Sequence, residues 1–200
     1  FSLMIPLFSK AIFFMLLLVG LGNPTPNSQD NRHNIGFKII DAINQKFGLS
    51  KQKPKFKGLL TTGTIDQKKI YAIKPLTFMN NSGICIRELL EYFKMHSNDV
   101  IVFHDDLDID FGKIKAKVGG SDAGHNGIAS IDKFIGKEYS RVRVGIGKPD
   151  NKISVSDYVL GNFNDEEKEK LNNLTENIIE SISILIDKKL DLFSSTVNNK

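Results

Sequence analysis

Two runs without alternation, Leu16-Leu17-Leu18-Val19 and Val100-Ile101-Val102-Phe103, constrain this chain more than any other feature. A strand with one wet face alternates apolar and polar residues. A strand that is apolar at every position is buried on both faces and needs covering layers on both. The cover is also in the sequence. Asn34 precedes Ile35, Phe37, Ile39, Ile40, Ile43 and Phe47, a stripe at helical spacing that stops at Gly48. Ser82 to Met95 carries Ile86, Leu89, Leu90 and Phe93 at the same spacing, and His125 to Ile135 reads as a short helix. Leu59–Ile65 and Lys69–Ile73 flank the polar Asp66-Gln67-Lys68 as a hairpin. Lys113–Val118 and Arg141–Gly147 alternate as strands. Asn164, followed by three acids, caps a helix whose apolar face runs through Leu171, Leu174, Ile178, Ile182, Leu185 and Ile186. These patterns predict an α/β fold: a single three-layer domain with a mixed, mostly parallel twisted sheet flanked by helices.

The domain is expected over residues 15–193. Ser194 to Lys200 lacks an apolar pattern and is expected to be a frayed tail. Residues 1–14 are apolar, but Pro6 and Lys10 break the run and no small-x-small cleavage site follows. They read as an upstream extension outside the fold rather than a signal peptide or membrane span, and the expected location is cytoplasmic. Cys85 is the single cysteine, so an internal disulfide and a cysteine zinc site are excluded, and it reads as a small buried hydrophobe. A net charge of +4 leans mildly toward polyanionic partners without the dense basic tract of an architectural nucleic-acid binder.

In sheets of this kind, sites gather beyond the carboxyl ends of the strands. Polar clusters fall there at Asn23, at Asp105 and around Asn80. Gly20-Leu21-Gly22-Asn23-Pro24 follows a strand, but Thr25 stands where a dinucleotide fingerprint needs its third glycine. Asp106, Asp108 and Asp110 alternate as in a calcium loop, yet Phe111 and Lys117 occupy the positions that would need Gly and Glu. Asp106 and Asp108 therefore read as a solvated turn. His33 stands just before a helix, and His125 stands within Gly124-His125-Asn126-Gly127; each is open to a structural or a catalytic reading. No histidine pair has the i, i+4 spacing of a metal-binding helix, so neither a metal nor another cofactor is expected. No G-x-S-x-G elbow is present. What remains for hydrolysis is a histidine oriented by a carboxylate, with water as nucleophile and Asn23, Asn80 and Asn126 as neutral donors and acceptors.

Six ordered motifs then carry a resemblance: G-L-G-N-P with R-H-N-x-G-F (Arg32 to Phe37), K-P-x-T-F-M-N-x-S-G (Lys74 to Gly83), H-D-D-L-D (His104 to Asp108), G-H-N-G (Gly124 to Gly127), R-V-R-V-G-I-G-K-P (Arg141 to Pro149) and V-L-G-N-F (Val159 to Phe163). From about Leu16 to Phe163 the chain resembles the bacterial-type peptidyl-tRNA hydrolases. The resemblance implies hydrolysis of the ester joining a peptide to the terminal ribose of tRNA. It implies His33 as catalytic base, Asp105 as the carboxylate that orients it, and Asn23 as the group distinguishing peptidyl from free aminoacyl ends. Phe78, Asn80 and Asn126 match positions contacting the tRNA or its peptide. The chain departs from the family pattern at Thr25, Ser28 and Asn31, and Ser28 replaces a tyrosine. Peptidyl-tRNA is the expected partner of a protein expected to be monomeric. Lys113, Lys115, Lys117, Lys133, Lys137, Arg141 and Arg143 are candidates for gripping acceptor-stem phosphates. The competing readings are a non-catalytic RNA-binding protein, a nucleotide-dependent oxidoreductase, and an esterase or amidase for a small substrate.

Overall fold

The computed structural model describes residues 15–150 and 152–200, so the expected upstream extension 1–14 lies outside the described residues. In chain order the elements are β1 (Met15–Gly20), α1 (Ile35–Lys46), β2 (Lys53–Lys55), β3 (Gly58–Ile65), β4 (Lys68–Pro75), α2 (Ser82–Phe93), β5 (Val100–Asp106), β6 (Ile114–Val118), α3 (Asn126–Ile135) and β7 (Ser140–Gly145). Four further helices close the chain: α4 (Val155–Leu160), α5 (Asp165–Glu180), α6 (Ile182–Ile186) and α7 (Leu190–Asn198). The strands form one mixed sheet in the order β2-β3-β4-β1-β5-β7-β6. Its central strands β4, β1, β5 and β7 run parallel, with antiparallel pairs at both margins.

The unbroken apolar runs divide by the two-residue period of a strand. Leu16 and Leu18 of β1 pack with Ile35, Ile39, Ile40 and Ile43 of α1 and with the carboxy-terminal helices. Leu17 and Val19 point the other way, into a second core with Ile86 and Leu89 of α2 and Ile128 and Ile131 of α3. Cys85 belongs to that second core, where burial pushes its thiol up to about 12.

Two glycines set the approach of α1 to the sheet. A Cβ on Gly20 would lie 2.2 Å from the carbonyl oxygen of Gly36, and one on Gly36 would lie 2.4 Å from the carbonyl oxygen of Phe103. Helix and strands therefore touch backbone to backbone, which brings the turn just before α1 to the carboxyl end of β5. The β3–β4 hairpin turns through Asp66 and Gln67, both at positive φ, the conformation that suits the strand twist.

The carboxy terminus departs from the expectation. The apolar face after Asn164 breaks at Ser181 into two helices, and residues 194–198 lie in α7 rather than in a frayed tail. Phe193 and Val197 are buried, and α7 runs along the outer edge of β6. There Ser194 Oγ accepts from Ala116 N–H (2.8 Å), while the Asn198 amide accepts from Ile114 N–H and donates to its carbonyl (2.9 Å each). Polar side chains satisfy an edge strand whose backbone would otherwise be unpaired, so no apolar stripe marks them. Among the described residues, no helix is long and apolar enough to cross a membrane.

Candidate active site

Three strand ends converge. β1 leads into Asn23, β5 ends in His104-Asp105-Asp106, and β4 leads into Phe78 and the 3₁₀ turn Met79–Asn81. Since β4 and β5 flank β1 on opposite sides, this is where the strand order reverses, the usual crevice of an open α/β sheet. A cleft of about 760 Å³ opens there. Asn23, His33, Phe78, Asn80, Asp105, His125 and Asn126 line it, with Val155, Val159 and Leu160 of α4 forming one wall.

Asp105 is its buried centre, 3% exposed. His33 Nδ1 lies 2.8 and 2.9 Å from its two oxygens, and His125 Nε2 lies 3.0 Å from Oδ1. Burial alone would raise the Asp105 pKa, but the two imidazoles outweigh it and hold the carboxyl well below the usual range. An ionised carboxylate only accepts, so both facing ring nitrogens donate. His125 Nδ1 accepts the backbone N–H groups of Gly127 (3.1 Å) and Ile128 (3.3 Å), capping α3, and this fixes its ring as the Nε2–H tautomer. His33 is correspondingly the Nδ1–H tautomer, and among the described residues no partner meets its Nε2, on a side chain that lines the cleft. His104, the next histidine, is fully buried and donates from Nδ1 to the Asp105 carbonyl (2.8 Å). Burial first, then His125, pushes its pKa down to about 3, so it is neutral.

Asn23 is fixed at three atoms. Its N–H donates to Asn34 Oδ1 and its carbonyl accepts from Asn34 Nδ2 (2.9 Å each), while its Oδ1 accepts from Met79 N–H (3.0 Å). The remaining group, Nδ2–H₂, belongs to a cleft-lining side chain. Asn80 and Asn126 are exposed on the rim, and no hydrogen bond restrains either amide among the described residues. Phe78 is 54% exposed and sits at φ +58°, a conformation that costs a bulky residue energy and holds its ring at the rim. Ser28 is buried against Thr25, their hydroxyls in direct contact, on the same cleft.

His33, Asp105 and His125 offer donor atoms within 4.8 Å of one another. Their direct contacts of 2.8 to 3.0 Å each hold a proton, so an ion would have to break both bonds. The set fits proton sharing rather than metal ligation.

All six expected site residues meet at this cleft. Three sequence readings do not survive. Arg141 is 1% exposed, paired with Asp132 (2.7 Å) and bonded to the Ser121 carbonyl, so it cannot reach a phosphate. Asp106 is no solvated turn residue: it is buried, accepting from Arg143 Nε (2.7 Å) and from Asp108 N–H, which commits Arg143 as well. Lys113 is exposed and donates to the Asn198 carbonyl (2.8 Å), a contact that leaves its charge at the surface. The sequence also left unmarked the dual role of His125, the Asn34 clamp and the α4 wall. The available signals were the glycine-flanked histidine at a helix start and the V-L-G-N-F motif.

Fold and cleft together define a hydrolytic enzyme on a three-layer α/β scaffold. A family model described as peptidyl-tRNA hydrolase matches residues 17–200. The peptidyl-tRNA hydrolase of Pelagibacter ubique (strain HTCC1062) is 75% identical over 93% of this chain and 100% of its own length. That of Ehrlichia canis (strain Jake) is 45% identical over 92% and 94%. The crystal structure of the Acinetobacter baumannii peptidyl-tRNA hydrolase superposes with a TM-score of 0.86 at 31% identity, covering 93% of this chain and 95% of that one. The chain belongs to the peptidyl-tRNA hydrolase family.

Proposed function

We propose that this enzyme cleaves the ester between peptide and terminal tRNA ribose, with His33 as general base and Asp105 as its orienting carboxylate. The observation that carries this reading is the two-point contact of His33 Nδ1 with the buried Asp105, which leaves Nε2 without a partner among the described residues, on a side chain that lines the cleft. Water attacks the ester carbonyl as Nε2 takes its proton. The imidazolium that forms lies against a carboxylate that burial cannot neutralise. The tetrahedral intermediate collapses, the carbonyl–ribose oxygen bond breaks, and the departing ribose oxygen takes the proton from Nε2. Free tRNA and the peptide's carboxylic acid result, and the acid then gives its remaining proton to solvent.

The developing oxyanion needs a donor that is already oriented, because only a preorganised dipole avoids reorganisation during reaction. Asn23 meets that requirement: Met79 N–H ties down its Oδ1, so its amide hydrogens have a fixed direction. His125 donates to the same carboxylate as His33 and acts as a positioning residue. Phe78, Asn80 and Asn126 form the rim that contacts the RNA end and the peptide. The working protein is proposed to be a cytoplasmic monomer.

The test compares deacylation of an N-blocked aminoacyl-tRNA with that of its unblocked form, with chelator present. Faster release of the blocked substrate, lost in His33→Ala, supports the reading. Equal rates on both substrates, or activity retained in His33→Ala, overturn it.

A further inference from the structure

His33 is the middle residue of a three-residue 3₁₀ turn, Arg32–Asn34, with no side-chain cap of its own. So short a turn does not by itself hold a ring in register with a partner on another element. Its neighbour supplies the restraint. Arg32 Nη2 lies 2.9 Å from each carboxylate oxygen of Glu167, in the first turn of α5, and Nη1 donates to the Asn162 carbonyl (2.8 Å). The guanidinium sits 4.4 Å from the ring centre of Tyr158 in α4 and 5.3 Å from that of Phe163. The backbone follows the same path: Arg32 N–H donates to the Gly161 carbonyl (3.0 Å), Phe163 N–H donates to the Asp30 carbonyl (3.1 Å), and Asn31 bridges Asn162. Glu167 is itself fixed, its carboxylate accepting Asn164 N–H (2.8 Å) in the α5 capping box.

We propose that Arg32 is a positioning residue that locks the catalytic turn to α4, fixing His33 relative to the apolar wall that α4 gives the cleft. This also gives the V-L-G-N-F motif a purpose. Val159 and Leu160 line the cleft, Gly161 and Asn162 receive Arg32, and Phe163 stacks beneath it. A Cβ on Gly161 would lie 3.3 Å from Arg32 Nη1 and 3.2 Å from two α4 carbonyls, so the motif's glycine keeps room for the lock. A lysine keeps the charge but cannot reproduce the fork and the stack together. A displacement of about 1 Å between base and acyl carbon is enough to cost roughly 10²-fold in rate.

The inference rests on His33 being the base, and its test has one readout that does not depend on activity. Arg32→Lys and Glu167→Gln are compared with wild type for kcat and KM on N-blocked aminoacyl-tRNA, corrected for folded fraction, and by ¹⁵N spectra of the His33 ring. The expected result in Arg32→Lys is a kcat loss of about 10- to 100-fold, together with His33 nitrogen shifts leaving the fixed Nδ1–H pattern. Glu167→Gln, which keeps the stack and one acceptor, falls between that variant and wild type and carries the test if Arg32→Lys does not fold. Wild-type kcat with unchanged ring shifts, even at a lowered Tm, makes Arg32 merely structural and overturns the proposal; so does a kcat loss without any change in the shifts. An inactive wild type would sink the proposed function instead, while the ring spectra would still decide whether Arg32 holds His33.

Discussion

At the scale of single residues, the buried cluster at the cleft sets two opposing demands, ionised Asp105 and neutral His104, on adjacent residues of one strand. Replacing His33 with Ala is expected to lower kcat by about 10²- to 10⁴-fold, the usual worth of a general base, with folding intact by circular dichroism. Asp105→Asn keeps the shape but can no longer stabilise an imidazolium, and a kcat within twofold of wild type would refute the pairing. The stability consequences follow from the direction of each shift. His104 has its folded pKa pushed below the unfolded value, so between pH about 6.5 and about 3 the unfolded chain holds a proton that the native state does not. Its contribution is complete above pH about 6.5 and is lost on acidification, at no more than about 1.4 kcal/mol per pH unit. Asp105, also depressed, adds stability above its unfolded pKa and loses it only in stronger acid. Chemical denaturation from pH 7 to 4 should therefore show a falling unfolding free energy, and a shallower fall in His104→Asn. Parallel curves for the two proteins would contradict this. At this scale the sequence pointed to Asn23 and Asp105 through strand-end polarity, and to His33 through its place before a helix and the resemblance; the fold brings all three to one cleft. His125 stood beside His33 as a candidate, but its sequence neighbours mark only the start of a helix; that its Nε2 also donates to Asp105 is a tertiary contact that no local pattern records.

The elements show where pattern reading succeeds and where it stops. Strands apolar throughout and helices with a full apolar stripe were legible, since burial on two faces or on one stripe leaves a periodic trace. β2 is Lys-Pro-Lys with all three residues exposed, and α4 is six residues long, so neither carries a period to detect. α7 was misread for a different reason: half of its work is polar. Asn198 alone satisfies both the N–H and the carbonyl of Ile114. Asn198→Ala is expected to cost about 1 to 3 kcal/mol, the range for stranding buried backbone groups, with kcat unchanged because the contact is remote from the cleft. Deleting residues 194–200 should cost more, adding the loss of buried Val197 and exposing the β6 edge. Thermal unfolding and light scattering measure both effects, and a truncated protein as stable and soluble as the full chain would show that α7 is dispensable cover.

For the molecule as a whole, charge is the property that sequence counting treats most coarsely. The net charge of +4 says nothing of placement, and the candidate cations of the second half meet very different fates. Arg141 and Arg143 are committed to the internal carboxylates of Asp132 and Asp106, which a one-dimensional count of lysines and arginines does not distinguish from free ones. Lys115 and Lys117 remain on β6, opposite Arg143 and Arg141 in register. The ammonium of Lys117 is held below its ordinary value by burial and then by Arg143, Arg141 and Lys115, a crowding of positive charge that an anion would relieve. A phosphate of the bound RNA is the anion the proposed substrate brings. Lys117→Gln should therefore raise KM for a blocked aminoacyl-tRNA more than it lowers kcat. It should also flatten the dependence of log KM on log salt by about 0.9 for one lost contact on duplex RNA, by analogy with B-DNA. Lys115→Gln should act in the same direction, and the double variant should come close to additive if the two lysines meet separate phosphates. Identical salt slopes in wild type and both variants would leave these lysines as solvated cover of a sheet margin and move RNA recognition to the cleft rim alone.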